Sequence, residues 1–327
     1  MAAYNAGELR STIRFSKGNP MSSASEARGR LQVTREARGR VAGDGVELAF
    51  GYWPGRGSPI VALHGLTASY LNFLGIAERL GGRRALFALD LRGRGDSDKP
   101  EGPYGMAQHG RDVAAAMRAM GLGPSVIAGH SMGAYVATAL AQQDPGLVAG
   151  LVLIDGGYAP SITGGPAPQQ GLDALLALRI TQLRQKYPSR EVYREFWRSQ
   201  PHFPKEDWGP WLEAFLDYEV GGEPPNLQPK ALEGAVRADL VEGFQREAIV
   251  GRLQAIKVPV LMIRADNGFA PGMPPLFPEA MMAEFRSFVP GMAEETIANS
   301  THYTMVLGNR GATRIADSLD GFARWLG

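Results

Sequence analysis

The sequence predicts a doubly wound α/β fold on a mostly parallel sheet, and three observations predict it. Short apolar runs bounded by Gly, Pro or Asp recur: "PIVALHG" at 59–65, "ALFALDL" at 85–91, "SVIAGHS" at 125–131, "VAGLVLIDG" at 148–156 and "PVLMIRAD" at 259–266. Their hydrophobicity is continuous rather than alternating, which means burial on both faces, as in a parallel sheet covered by helices. Helical patterns over about 71–80, 106–120 and 132–143 fall between the runs, and strand-helix-strand succession gives right-handed crossovers. Finally, His64, Asp90, Ser131, Asp155 and Asp266 each lie at or just past the end of an apolar run, where such sheets carry reactive groups.

Each element follows from local chemistry. Residues 1–30 are polar, rich in Asn, Gly, Ser and Pro, with five Arg/Lys, and read as a surface arm. "VELAFGYW" at 46–53 follows the Gly-Asp-Gly turn signal at 43–45 and reads as a hairpin strand. The 132–143 helix is closed by "QQDPG", where Pro145 cannot continue it. Between Asp155 and Pro259 lie 103 residues, whereas a crossover needs only about 10 to 15. That stretch holds 11 of the 28 aromatic residues. "LDALLALRITQLRQKY" and "REVYREFWRS" have helical spacing, and "GGPAPQQG" and "GGEPPNLQP" read as hinges. The expected organisation is therefore an arm at 1–30, a first core part at 31–156, a helical cap at 157–251 and a second core part at 252–327.

Composition narrows the function. With 34 Lys+Arg against 33 Asp+Glu the net charge is +1, which gives no global field for nucleic acid or an anionic membrane. Zero cysteines remove disulfide and thiolate chemistry together. No apolar run reaches 18 residues and the first 30 lack the apolar core of a secretory signal, so a membrane span is not expected and a cytoplasmic location is. Neither a phosphate-binding G-x-x-x-x-G-K-[ST] nor a G-x-G-x-x-G at a strand end occurs.

The stretch "SVIAGHSMGAYVA" at 125–137 carries the chemistry. Gly129-His130-Ser131-Met132-Gly133 fits the G-x-S-x-G elbow, with a strand before it and a helix after it. Its glycines make room for a serine held in a strained turn with the hydroxyl exposed. Together with "HGLT" after the 59–65 run, "DLRGRGDSDKP" after the 85–91 run and "HYT" near the C-terminus, the sequence resembles the α/β-hydrolase superfamily over residues 38–327. The resemblance implies an eight-stranded sheet, a cap inserted after the sixth strand, and no cofactor or metal. It also implies an oxyanion hole from the backbone N–H groups of Leu66 and Met132.

A serine nucleophile needs a base and an orienting carboxylate, in the chain order Ser, acid, His. Only His202 and His302 follow Ser131. His202 lies among prolines inside the cap, and His302 lies between a last strand and the final helical pattern, so His302 is the expected base. The acid has two candidates. Many relatives carry it in a G-x-x-D pattern past the 259–266 strand, but "LMIRADNG" has Ala265 and Gly268 at those places, with Asp266 two positions early. Asp155 ends the 148–156 run, where some relatives hold the acid, and is expected over Asp266. His64, His109 and His130, and the carboxylates Asp90, Asp96 and Asp98, are expected to be structural.

The expected activity is a serine hydrolase cleaving a hydrophobic or aromatic ester or lactone. Tyr158, Trp197, Trp208, Trp211 and Tyr303 are the candidate substrate contacts. The resemblance leaves two alternatives: hydrolysis of a carbon–carbon bond in a ring-cleavage product, and a non-catalytic ligand sensor.

Overall fold

A computed structural model of the chain describes residues 36–158, 168–243 and 245–327. The N-terminal arm, the first half of the first hinge (164–167) and Phe244 lie outside the described residues, and the second half of that hinge opens a helix. Strands β1 (Ala37–Ala42) and β2 (Glu47–Trp53) form an antiparallel hairpin closed at Gly43, whose N–H donates to the Val46 carbonyl at 2.7 Å. β3 (Ile60–Leu63), β4 (Leu86–Leu89), β5 (Ser125–His130), β6 (Val148–Ile154), β9 (Val260–Ala265) and β10 (Ala293–Ile297) complete an eight-stranded sheet in the order β1-β2-β4-β3-β5-β6-β9-β10. From β4 to β10 every pairing is parallel, and only the two N-terminal pairings are antiparallel. β7 (Val220–Gly221) and β8 (Gln228–Pro229) form a separate two-stranded ribbon.

The continuous apolar runs serve two cores at once. In β3, Val61 and Leu63 join one core while Ile60 and Ala62 join the other; in β6, Leu151 and Leu153 divide from Val152 and Ile154 in the same way. One face is covered by α2 (Met106–Ala119), α3 (Met132–Gln143), α8 (Arg246–Ala255) and α9 (Glu279–Phe288). The other is covered by α1 (Leu74–Leu80), α10 (Thr304–Leu307) and α11 (Asn309–Leu326). No helix among the described residues is long and apolar enough to cross a membrane.

Among the described residues, four α-helices lie between β6 and α8: α4 (Pro168–Arg184), α5 (Arg190–Arg198), α6 (Pro210–Glu219) and α7 (Glu233–Glu242). α5 starts on Ser189, whose hydroxyl accepts from the Val192 N–H at 3.2 Å and so satisfies a first-turn donor. The insert docks on the loop after β4. The Tyr218 hydroxyl donates to Asp90 at 2.5 Å, Lys230 pairs with Asp96 at 2.7 Å, the Leu232 N–H donates to the Gly93 carbonyl at 2.8 Å and Asp239 pairs with Arg94 at 2.6 Å. "DLRGRGDSDK" is thus a structural loop with a specific task, the platform on which the inserted helices rest.

Two glycines of the strand-to-helix turn are required by close approach. A Cβ on Gly133 would stand 2.0 Å from the Leu63 carbonyl oxygen, and one on Gly129 would stand 2.2 Å from that of Gly133. Both clashes are with backbone, which cannot give way cheaply. Gly133→Ala is therefore expected to lower unfolding free energy by about 3 kcal/mol or more, at the upper end of overpacking costs. An unchanged urea midpoint in that variant would contradict the packing described.

Candidate active site

Ser131 occupies the turn between β5 and α3 with φ 53° and ψ −118°, a conformation that L residues rarely adopt. Its N–H donates to the Ile154 carbonyl at 2.9 Å and its own carbonyl accepts from Ala134 at 3.1 Å. Gly156 packs so closely beneath it that a Cβ there would stand 2.2 Å from the Ser131 carbonyl oxygen. The Ser131 side chain opens onto the cavity described below, and its hydroxyl forms no hydrogen bond with the described residues.

His302 lines the same cavity. Its Nδ1 lies 2.7 Å from Asp155 Oδ2, and both side chains are buried. The contact fixes the tautomer: Nδ1 donates to the carboxylate and Nε2 is left as an acceptor. Asp155 itself has φ 46°, and its second oxygen accepts from the Ala265 N–H at 3.2 Å. Asp266 does different work. Its two oxygens accept from the backbone N–H groups of Asn299 and Ser300 at 2.8 and 2.9 Å, bracing the loop that delivers His302.

His130 packs against His302, ring centroids 4.7 Å apart. Its Nε2 donates to the His302 carbonyl at 3.0 Å and its Nδ1 accepts from Asn72 at 3.3 Å. Burial, reinforced by the neighbouring His302, holds His130 well below the ordinary imidazole range, so it is a neutral brace. Phe269 meets the His302 ring edge-on at 5.1 Å.

Met132 is the first residue of α3, where backbone N–H groups have no partner within the helix. The Leu66 loop is pinned from below. Nδ1 of His64 donates to the Gly65 carbonyl at 2.7 Å while its Nε2 accepts from Leu91 at 3.0 Å, and burial pushes its pKa down to about 3. Arg94, fully buried, donates from Nε to the Leu66 carbonyl at 2.9 Å and from one terminal nitrogen toward the Met132 sulfur at 3.8 Å. Its counter-charge is Asp239 of α7, which also accepts from His109 at 2.8 Å and from the Gly105 N–H at 2.7 Å. Burial alone would raise the Asp239 pKa, but Arg94 and His109 outweigh it and leave the carboxyl below its ordinary range.

The cavity above Ser131 has a volume of about 420 Å³ and its lining is chiefly apolar, including Leu66, Phe203, Phe215, Leu240 and Phe277. Of the five expected contacts, Tyr158, Trp197 and Tyr303 line it. Trp208 and Trp211 do not, because each is committed elsewhere. Trp208 donates to Glu213 at 2.9 Å beneath Arg198, and Trp211 donates to the Leu307 carbonyl at 3.1 Å beneath Arg79. The aromatic density of the insert therefore divides between wall and packing, and His202 edges onto Tyr303 at 5.2 Å.

Among the polar residues of the lining that were not anticipated are Arg179 of α4 and Glu219 of α6. Arg179 stands four residues after Leu175, which also lines the cavity. That helical spacing was the available signal, a charged residue on a stripe with leucine. Glu219 accepts from the Tyr193 hydroxyl at 3.0 Å, and desolvation pushes its pKa up to about 8.

With this geometry in view, comparison with known proteins gives the class. The family model described as the alpha/beta hydrolase fold matches residues 58–308. The chain belongs to this family, and hydrolase activity is supported as its coarse function. A 2-(acetamidomethylene)succinate hydrolase of Mesorhizobium japonicum is 27% identical over 250 residues, 76% of this chain and 83% of the relative. An N-formylmaleamate deformylase of Pseudomonas putida is 35% identical over 130 residues, 39% of this chain, which spans just under half of that relative (47%). Among solved structures, an E-2-(acetamidomethylene)succinate hydrolase superposes with a TM-score of 0.73 at 23% identity, covering 89% of this chain and 99% of that one. A thioesterase domain from the curacin biosynthetic pathway gives 0.67 at 18% identity, covering 87% and 99%. At these identities the structural likeness concerns the fold.

Asp239→Ala would leave the Arg94 guanidinium buried without a counter-charge, which costs about 3 to 5 kcal/mol in comparable cases. Chemical denaturation should show a loss of that order. A loss within the range of surface substitutions, about 0.5 kcal/mol, would mean that Arg94 finds solvent or another partner.

Proposed function

We propose that the protein is a serine hydrolase that transfers the acyl group of a small carbonyl compound first to Ser131 and then to water. The observation that carries the proposal is the 2.7 Å contact of Asp155 with His302 beside a serine held in the strained elbow of the same cavity. His302 Nε2 takes the proton of Ser131 Oγ as the oxygen attacks the carbonyl carbon. The oxyanion that forms is received by the N–H groups of Leu66 and Met132. As the tetrahedral intermediate collapses, His302 returns the proton to the departing atom. A water deprotonated by the same histidine then releases the acid and restores Ser131. Asp155 orients the imidazole and stabilises its charged form.

The scissile bond is proposed to join the acyl carbon to nitrogen. Both named relatives act on compounds whose names contain an acylated nitrogen, acetamido in one and N-formyl in the other. Proton delivery from His302 suits this bond, because an amine leaves only when protonated. An ester or lactone is the second reading, favoured by the apolar lining of Phe203, Phe215 and Phe277. It uses every residue in the same role and differs only in the leaving atom.

Two measurements test these statements. Asp155→Asn should lower kcat by about 10⁴-fold, as loss of the orienting carboxylate does in serine proteases. Asp266→Asn, acting only through the loop, should lose far less; a reversal of that order would transfer the orienting role. Initial rates on N-acyl amides and on esters of the same acyl groups, with Ser131→Ala as blank, test the bond. Amide turnover well above the blank is the expected result. Ester turnover alone would select the second reading, and flat rates from folded protein would favour the sensor alternative.

A further inference from the structure

The cap-side wall of the cavity is not electrically neutral. Arg179 donates to the Tyr303 hydroxyl at 3.0 Å and to Gln182 at 3.1 Å, and among the described residues no carboxylate forms an ion pair with it. Three other arginines of the insert are ion-paired, Arg184 with Glu233, Arg194 with Asp217 and Arg198 with Glu213, while Arg190, which does not line the cavity, donates to the Asp217 carbonyl at 3.1 Å. A guanidinium carries five N–H donors, so two bonds leave Arg179 with unspent capacity on a wall of the cavity. The Tyr303 oxygen accepts from Arg179, which leaves its own O–H free to donate in turn.

The surrounding groups do not cancel this charge. Desolvation pushes the pKa of Glu219 up to about 8, outweighing Arg179, which lies within electrostatic reach and draws it down. Glu219 makes no ion pair with Arg179, and one of its oxygens accepts from the Tyr193 hydroxyl at 3.0 Å. His202, beside Tyr303, is lowered by desolvation and by Arg179 itself, and is neutral there. The other two carboxylates lining the cavity are spoken for: Asp155 by His302, and Asp239 by Arg94 and His109. What remains is a cation that no carboxylate among the described residues meets at ion-pair distance, on the wall of a largely apolar enclosure, where a charge-assisted bidentate contact is strong.

We propose that Arg179, with the Tyr303 hydroxyl, binds a carboxylate of the substrate, so that the site selects short acyl compounds carrying an anionic group on the side of the cavity beyond His302. Tyr303 directly follows His302 and their rings are 5.5 Å apart, so the anion is held next to the reacting centre. Planar two-oxygen recognition is what a guanidinium provides and an ammonium does not. Arg179 acts here as a specificity residue, and calling the ligand a substrate rests on the serine-hydrolase reading above.

Calorimetric titration of glutarate and of uncharged glutaramide into Ser131→Ala protein reads recognition without turnover and without knowledge of the scissile bond. Glutarate should bind tighter than the diamide by roughly 10- to 100-fold, the range for hydrogen bonds to a charged group. Adding Arg179→Gln should abolish that preference, and Arg179→Lys should retain part of it. Tyr303→Phe, which keeps the ring, should reduce it less and serves as the second variant should the Gln protein fail to fold. Equal binding of the two compounds, no detectable binding of glutarate, or a preference that survives Arg179→Gln overturns the proposal. Labelling of wild-type Ser131 with a fluorophosphonate is read separately. An unreactive serine with the glutarate preference intact would sink the hydrolase reading and leave the carboxylate site standing.

Discussion

The left-handed backbone of Ser131 is the constraint on which the rest of the molecule depends. An L residue at φ 53° and ψ −118° persists only when its surroundings leave no alternative. Here they do so with backbone alone. Gly129 and Gly133 let the strand and helix pass at contact distance, Leu63 presses from the neighbouring strand, and Gly156 fills the space beneath the serine carbonyl. The parallel order β3-β5-β6 brings these three chain segments side by side. The sheet is thus less a support for the serine than the means of making its strain affordable.

Much of this was legible in the sequence, for identifiable reasons. Parallel strands buried on both faces advertise themselves as unbroken apolar runs, and the elbow demands glycine at fixed spacing, so β3 to β6, β9, α2 and α3 fall where those patterns lie. Asp155 and Asp266 both end apolar runs, and the preference for Asp155 rests on the departure of the 259–268 stretch from G-x-x-D and on the resemblance to chains with the acid after the sixth strand. In the structure the carboxylates have unlike partners, Asp155 the His302 imidazole and Asp266 the N–H groups of Asn299 and Ser300. The cavity wall was legible only in part. Trp208 and Trp211 carry the same rings as Trp197, and nothing in their local sequence states that a glutamate and a distant carbonyl claim their indole N–H groups. Long-range partners of that kind are invisible to periodicity. Arg94 was obscured for the same reason, since its loop reads as self-contained until Asp239 arrives from 145 residues further along.

That arrival ties the insert to the chemistry. Asp239 belongs to α7, and the arginine it neutralises reaches the carbonyl of Leu66 and the sulfur of Met132. The two residues proposed to supply oxyanion donors are therefore positioned, through one buried guanidinium, by a helix of the insert. Tyr218 on Asp90 and Lys230 on Asp96 repeat the pattern on either side of Arg94 in the same loop. α6 and α7 are accordingly part of the rigid frame, whereas α4 meets α7 through a small apolar cluster of Ile180, Leu183, Ala231 and Val236 and through the Arg184–Glu233 pair at its surface.

The placement of Asp155, the proposed orienting acid, has a consequence for how such a protein can change. Because Asp155 sits after β6, the loop after β9 need not hold an acid at a fixed position. It supplies Phe269, Leu276 and Phe277 to the cavity wall instead. In a chain whose acid follows β9, altering that loop endangers the proton relay together with the pocket shape. Here the proposed acid lies on another segment, so new specificities can be explored by drift in residues 270–277, whereas residues 267–269 stay tied to the His302 segment, whose N–H donates to the Gly268 carbonyl at 2.9 Å and whose ring meets Phe269. The same separation marks that loop as the place to begin in engineering the site.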